Sequence, residues 1–209
     1  MTFRRFAEKH SELSVIYWTH LIGAQAVSKA LDGIPDETFT VDALGVPTKQ
    51  NQYGFTAKET KDGTEIYLER SRLHLLAICC ANLESYLKDV TFFYIAAKGY
   101  KEGPGKLSPI GSALGSPILE KSSLPGPLDY AQYLFGVNFG HRLDLLKLAY
   151  KYRSALVHNG GIVTPRTLNE LQLPPSRLHS RLGYTWLQLK AALEAAYEIA
   201  ELTDLERFK

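Results

Sequence analysis

Cysteine is scarce in this chain, and what there is cannot cross-link it. Cys79 and Cys80 are adjacent within an apolar run, so neither a disulfide framework nor a zinc site of spaced thiolates can be drawn. Free thiols suit a reducing compartment, and the expected location is cytoplasmic. Long apolar runs are also missing. No window approaches about 18 uninterrupted apolar residues, so no membrane-spanning helix is expected. The first ten residues carry basic side chains but no apolar stretch before a small-residue cleavage site, and do not read as a secretory signal. Neither sign of charge dominates. Lys and Arg number 24 against 22 Asp and Glu, a formal net charge of +2, so any contact with nucleic acid has to be local.

Familiar catalytic motifs are equally sparse. Lys101 to Ser108 resembles a phosphate-binding loop only superficially: Tyr100 stands where the first glycine belongs and Leu107 where a hydroxyl is needed. There is no Gly-x-Ser-x-Gly elbow, no His-Glu-x-x-His and no Gly-x-Gly-x-x-Gly. The six histidines are scattered, with no helical pair beside a carboxylate. Neither a metal nor a cofactor is expected.

What remains is the composition of an ordinary globular protein, 45% hydrophobic and 22% charged over 209 residues, enough for one domain with a core. Apolar residues recur at three- and four-residue spacing over 2–31, about 64–98, 141–157 and roughly 176–206, with shorter helices at 128–135 and 166–171. Residues 35–63 lose that rhythm. Phe39-Thr40-Val41 and Tyr53-Gly54-Phe55-Thr56 favour strands, and Asp62-Gly63 is a hairpin turn signal, so a small β-ribbon or irregular insertion is expected there. Residues 99–127 are rich in Gly, Pro and Ser and read as a long surface loop. The expected fold class is all-α: one domain, an up-and-down bundle of four to five main helices.

Chemistry concentrates in Tyr152-Arg153-Ser154-Ala155-Leu156-Val157-His158-Asn159-Gly160-Gly161. An arginine near the end of a helix is followed five positions later by a histidine, and Asn-Gly-Gly stops the helix. A permanently charged guanidinium and an imidazole that ordinarily titrates near pH 6.5 form a minimal kit for phosphodiester chemistry. The spacing alone is weak, since about one such pair is expected by chance. A second one, Arg5 and His10, lies at the start of the first helix and reads as surface. Structural roles are available too: His158 can bond a carbonyl at the helix end while Arg153 offsets the dipole. In an unbroken helix, residues five apart diverge by about 140° and about 7.5 Å. Convergence therefore needs a helix break near His158 or a second copy across a symmetry axis.

Arg-x-x-x-Val-His-Asn-Gly-Gly-Ile-Val closing a main helix of an all-α bundle resembles the HEPN superfamily. The upstream run Cys80-Ala81-Asn82-Leu83-Glu84-Ser85-Tyr86-Leu87-Lys88-Asp89-Val90 is similar to the segment those domains place before their Arg/His motif, and the likeness spans roughly Thr64 to Lys209. It implies a metal-independent endoribonuclease of toxin or antiphage-defence type. Such a protein acts as a homodimer with a composite site, and has an antitoxin or defence protein as partner. Arg153 carries over as the phosphate clamp and His158 as the general acid/base. The residue after the arginine, usually Asn, Asp or His in active members, is Ser154 here. Ser154 and Asn159 are expected to donate hydrogen bonds to phosphate oxygens, Glu84 to orient the Arg/His pair, and Tyr152, with Tyr150, to stack on bases. Arg177, His179 and Arg181 read as a solvated start of the last helix, or as contacts to RNA backbone. Two other readings stay open. One is a non-catalytic HEPN-like module that dimerises or binds a partner or nucleotide. The other is an unrelated helical scaffold whose 99–127 loop docks a partner.

Overall fold

The computed structural model describes residues 1–45, 54–97 and 126–205. These form seven α-helices: α1 Phe3–Ala30, α2 Thr40–Ala43, α3 Ala57–Ala97, α4 Gly126–Phe135, α5 His141–Asn159, α6 Pro165–Leu171 and α7 Trp186–Leu202. One short 3-10 turn, Pro175–Arg177, lies between α6 and α7. The all-α expectation holds. No described helix is long and apolar enough to cross a membrane.

Cross-helix contacts fix the directions. Phe6 meets Tyr86 and His20 meets Tyr67, so α1 and α3 run antiparallel. Tyr86 Oη donates to Ala200 O at 2.9 Å and Arg72 to Tyr184 O at 3.0 Å, so α3 and α7 run parallel. Tyr152 packs on Tyr184 while Arg142 reaches Glu198, which sets α5 against both. The four main helices therefore alternate in direction, with α1 and α5 at the far corners of a central α3–α7 pair. The core is fully covered along this pair: Leu76, Leu83 and Leu87 from α3, Leu189, Ala196 and Ile199 from α7, with Phe6, Leu128 and Leu146 closing the sides. Burial pushes the Tyr86 phenol well up, so it stays a neutral donor to its carbonyl.

Two boundaries differ from expectation, each because a helix-start signal outweighs another cue. Asp62-Gly63 does not turn a hairpin; both residues lie inside α3, which begins seven positions earlier than its periodicity suggests. Thr56 and Glu59 form a reciprocal cap: Glu59 N–H donates to Thr56 Oγ1 at 3.2 Å, and Thr56 N–H donates to the Glu59 carboxylate at 2.9 Å. That bond from Thr56 N–H, more than its hydroxyl, holds the Glu59 carboxyl below its usual range. Of the expected ribbon, the described residues show one antiparallel bridge, Phe39 to Thr56, while Thr40 and Val41 start the single turn of α2. Residues 46–53 lie outside the described set.

The last helix starts at Trp186, not near Ser176. Thr185 and Gln188 cap it by the same reciprocal geometry, at 3.2 and 2.8 Å. Residues 178–184, expected to be helical, instead run back along the end of α5. Of the predicted 99–127 loop, Gly126 and Pro127 open α4 and the remainder lies outside the described residues.

Candidate active site at the end of α5

Helix α5 continues without a break through His158 and Asn159. It stops because Gly160 and Gly161 take the left-handed conformation (φ +60° and +77°), which a side chain would strain. A Cβ at Gly160 would meet nothing within 4 Å, so the glycine is required by its backbone angle and not by crowding. The amides of both glycines fold back on Ala155 O. No break therefore brings Arg153 and His158 together within one chain. They leave α5 about 140° apart and about 7.5 Å along its axis.

Arg153 faces the seam with α3 and is partly buried. Its guanidinium lies over the Tyr150 ring, 5.4 Å from the centroid, and makes no ion pair among the described residues. Cys80, across the seam, locates it electrostatically. Burial pushes that thiol up to about 12, the Arg153 charge works against the rise, and the Glu84 carboxylate adds to it. Arg153, Cys80 and Glu84 thus share one polar stretch of an otherwise apolar contact. Glu84 holds Lys88 at 2.8 Å on its own helix, as an (i, i+4) pair with little exposure.

His158 projects the other way and is exposed, as is Val157 beside it, 58% open to solvent. Asn159 turns toward α6, where its amide nitrogen lies 3.5 Å from Thr167 Oγ1, at the limit of a hydrogen bond. Ser154 is half-buried. Tyr152 is 8% exposed and packs on Tyr184 with ring centroids 4.8 Å apart, so it belongs to the core and has no open face for a base. Tyr150, which carries the Arg153 guanidinium, lies one helical turn toward the N-terminus of α5.

The segment after α5 supplies what spacing did not show. Val163 N–H donates to Ser180 O, His179 N–H to Val163 O, and Leu182 N–H to Gly161 O, at 2.9, 2.9 and 2.7 Å. This short antiparallel pairing, with its bridge between Ile162 and Arg181, lays Arg177, His179 and Arg181 beside the α5 tip. His179 holds φ +62°, a conformation that costs a non-glycine residue about 1–2 kcal/mol. Arg70 arrives from α3 and borders the same cleft as Arg181 and Gly160–Gly161. Periodicity offered no sign of that arginine. Among the described residues, no group of three or more His, Cys, Asp or Glu is arranged to hold a metal ion.

Compared with models of protein families, with curated proteins and with solved structures, the chain matches none.

Proposed function

We propose that this chain is a metal-independent endoribonuclease of HEPN type whose site is assembled from two copies. The observation that carries the reading is the uninterrupted α5, which keeps the half-buried Arg153 and the exposed His158 on different faces of one chain. Arg153 of one copy facing His158 of another restores the missing proximity. A surface suited to such pairing adjoins Arg153. Ile78, Ala81, Ser85 and Phe92 recur on one exposed face of α3, with Ile78 and Phe92 45% and 49% open, and Ala81 is one turn from Glu84. Val157 on α5 is also exposed.

In the proposed reaction the RNA 2′-oxygen attacks the adjacent phosphorus. The His158 imidazole takes the 2′-proton as the new P–O bond forms, and the 5′-oxygen leaves with a proton from water as its bond to phosphorus breaks. The products are a 2′,3′-cyclic phosphate and a 5′-hydroxyl. Arg153 grips the non-bridging oxygens and offsets the extra negative charge of the transition state. The need for a 2′-hydroxyl makes RNA the substrate in preference to DNA. A toxin or antiphage effector is the biological setting that the resemblance suggests, with an antitoxin or defence protein to restrain it.

The test is incubation of parent, Arg153→Ala and His158→Ala proteins with total RNA in EDTA, followed by analysis of the cut ends. Cyclic phosphate ends from the parent and intact RNA from both variants support the proposal. Mixing the two inactive variants should restore part of the activity, since a mixed pair keeps one intact Arg153/His158 combination. Equal cutting by parent and variants overturns the assignment, and failure of the mixture overturns the composite site. The reading as a non-catalytic module rests on Ser154, whose short side chain replaces a longer polar group. Binding to RNA without cutting by the parent would favour it.

A further inference from the structure

We infer that Arg70 and Arg181 form a phosphate-binding subsite for single-stranded RNA, beyond the Arg153/His158 pair along the α3–α5 seam. The inference rests on the ribonuclease reading for its substrate and extends it to how the strand is held.

Both arginines are exposed and border one cleft, between the amino-terminal half of α3 and the Gly160–Gly161 end of α5. Neither takes part in an ion pair among the described residues, although charges of the same sign at one cleft repel. One carboxylate, Glu69, also lines the cleft; its Oε1 lies so close to Gly183 that a Cβ there would come within 2.7 Å of it, and it forms no ion pair with either arginine among the described residues. The cleft interior takes about one water, so an anion would lie across its mouth with a guanidinium on each side. Guanidinium forks match phosphate oxygens two at a time, which a lysine cannot do.

Position relates this pair to Arg153. The cleft opens beside Leu156, Gly160 and Gly161, on the side of α5 that meets α3, and Arg153 reaches the same seam. Arg153 and Gly160 are seven residues apart, about 10 Å of helix. A strand held at Arg153 would therefore bring another of its phosphates toward the cleft. The backbone fixes Arg181 there. Leu182 N–H bonds Gly161 O at 2.7 Å, and the Arg177 guanidinium donates to Arg181 O at 2.8 Å, bracing the turn whose His179 is left-handed.

The experiment is fluorescence anisotropy of a 2′-O-methyl RNA oligomer, which cannot be cut by 2′-attack, over a salt series. The full chain is compared with Arg70→Gln, Arg181→Gln, the double variant, and Lys29→Gln as a remote control. Each single variant should weaken binding about tenfold, with the double little worse than either, because both grip one phosphate. The slope of log affinity against log salt should flatten by about 0.7 in the variants. Lys29→Gln should bind as the parent does. Arg70→Lys and Arg181→Lys retain charge and should lose part of the affinity with little change in slope, a result that loss of folding would not produce. Parental affinity and slope in the double variant overturn the subsite, as does failure of the parent to bind. Turnover is not needed for binding, so the two readings separate. A parent that binds in this Arg-dependent way but leaves ordinary RNA uncut overturns the nuclease and keeps the subsite. One that cuts while the variants bind and cut equally does the reverse.

Discussion

Two Arg-x-x-x-x-His pairs occur in this chain, at opposite corners of the bundle, and folding has used them differently. Arg5 and His10 start α1. His10 is not the surface residue that its sequence position suggests: its ring stacks on Phe6 at 5.5 Å, meets Tyr197 at 5.7 Å, and its burial lowers the imidazole pKa. Arg153 and His158 finish α5, where the imidazole is exposed and the guanidinium lies over the Tyr150 ring with no ion pair among the described residues. Identical spacing thus yields a packed aromatic at one site and two unspent polar groups at the other. A half-buried histidine packed among rings serves packing, whereas an exposed one remains available for chemistry.

The sharpest way to break this contrast is to exchange the losses. His158→Ala should lower RNA cleavage by about 10²- to 10⁴-fold, the usual contribution of a proton-transfer group, and shift stability by less than about 0.5 kcal/mol. His10→Ala should leave cleavage at the parental rate and cost about 1–2 kcal/mol through lost ring contacts, read from urea melts. Loss of cleavage in His10→Ala with full stability would invert the roles assigned to the two pairs.

Gly160→Ala should cost about 1–2 kcal/mol, because the left-handed end of α5 then carries a Cβ. It should also reduce cleavage by displacing the Arg181 strand from the helix tip. Thermal melts beside cleavage rates would test both.

Acid provides a gentler probe. His10 binds its proton less readily folded than unfolded, so between its lowered pKa and about 6.5 the unfolded chain holds more protons. Stability should therefore rise with pH through that window and be lost as pH falls below about 6.5. The titratable groups that line the α1–α7 groove with His10 are Tyr197, Lys190, Glu194 and Glu198, the last engaged by Arg142. His10→Phe should remove this part of the pH dependence. Stability curves of parent and His10→Phe that stay parallel from pH 7.5 to 5 would contradict it.

The smallest effect expected is a gain. Gly63 lies within α3, and a Cβ there would meet nothing within 4 Å, so Gly63→Ala should stabilise by about 0.5–1 kcal/mol without changing cleavage. A destabilised Gly63→Ala protein would show that the helix needs glycine at that point.

Much of the bundle was legible because long amphipathic periods carry their own evidence: α1 and α5 lie within two residues of where their apolar spacing puts them. The misplaced boundaries share one cause. Thr56-Ala57-Lys58-Glu59 and Thr185-Trp186-Leu187-Gln188 are capping boxes, and a cap outranks both a hairpin dipeptide at 62–63 and apolar residues that merely happen to fall in phase at 178 and 182. At the candidate site, the Arg153, His158 and Gly160 positions were readable. Arg70 was not, because its place beside Arg181 depends on 110 residues of intervening chain returning to the same corner, with no local period to record it. The partners of Tyr152 and His10 were hidden for the same reason: exposure is a property of what packs opposite.

The amino-acid order by itself determined that this chain is helical, where α1 and α5 run, that Asn159-Gly160-Gly161 must end one of them, and that a guanidinium and an imidazole lie five positions apart before that end. These are consequences of local backbone preference and apolar period, which neighbours in sequence suffice to set. Only the tertiary structure decided that α5 stays whole through His158, that His10 packs among rings while His158 is open, and that two arginines from distant segments border one cleft. Burial and charge neutralisation depend on side chains that meet through space, and the chain's linear order does not contain those meetings.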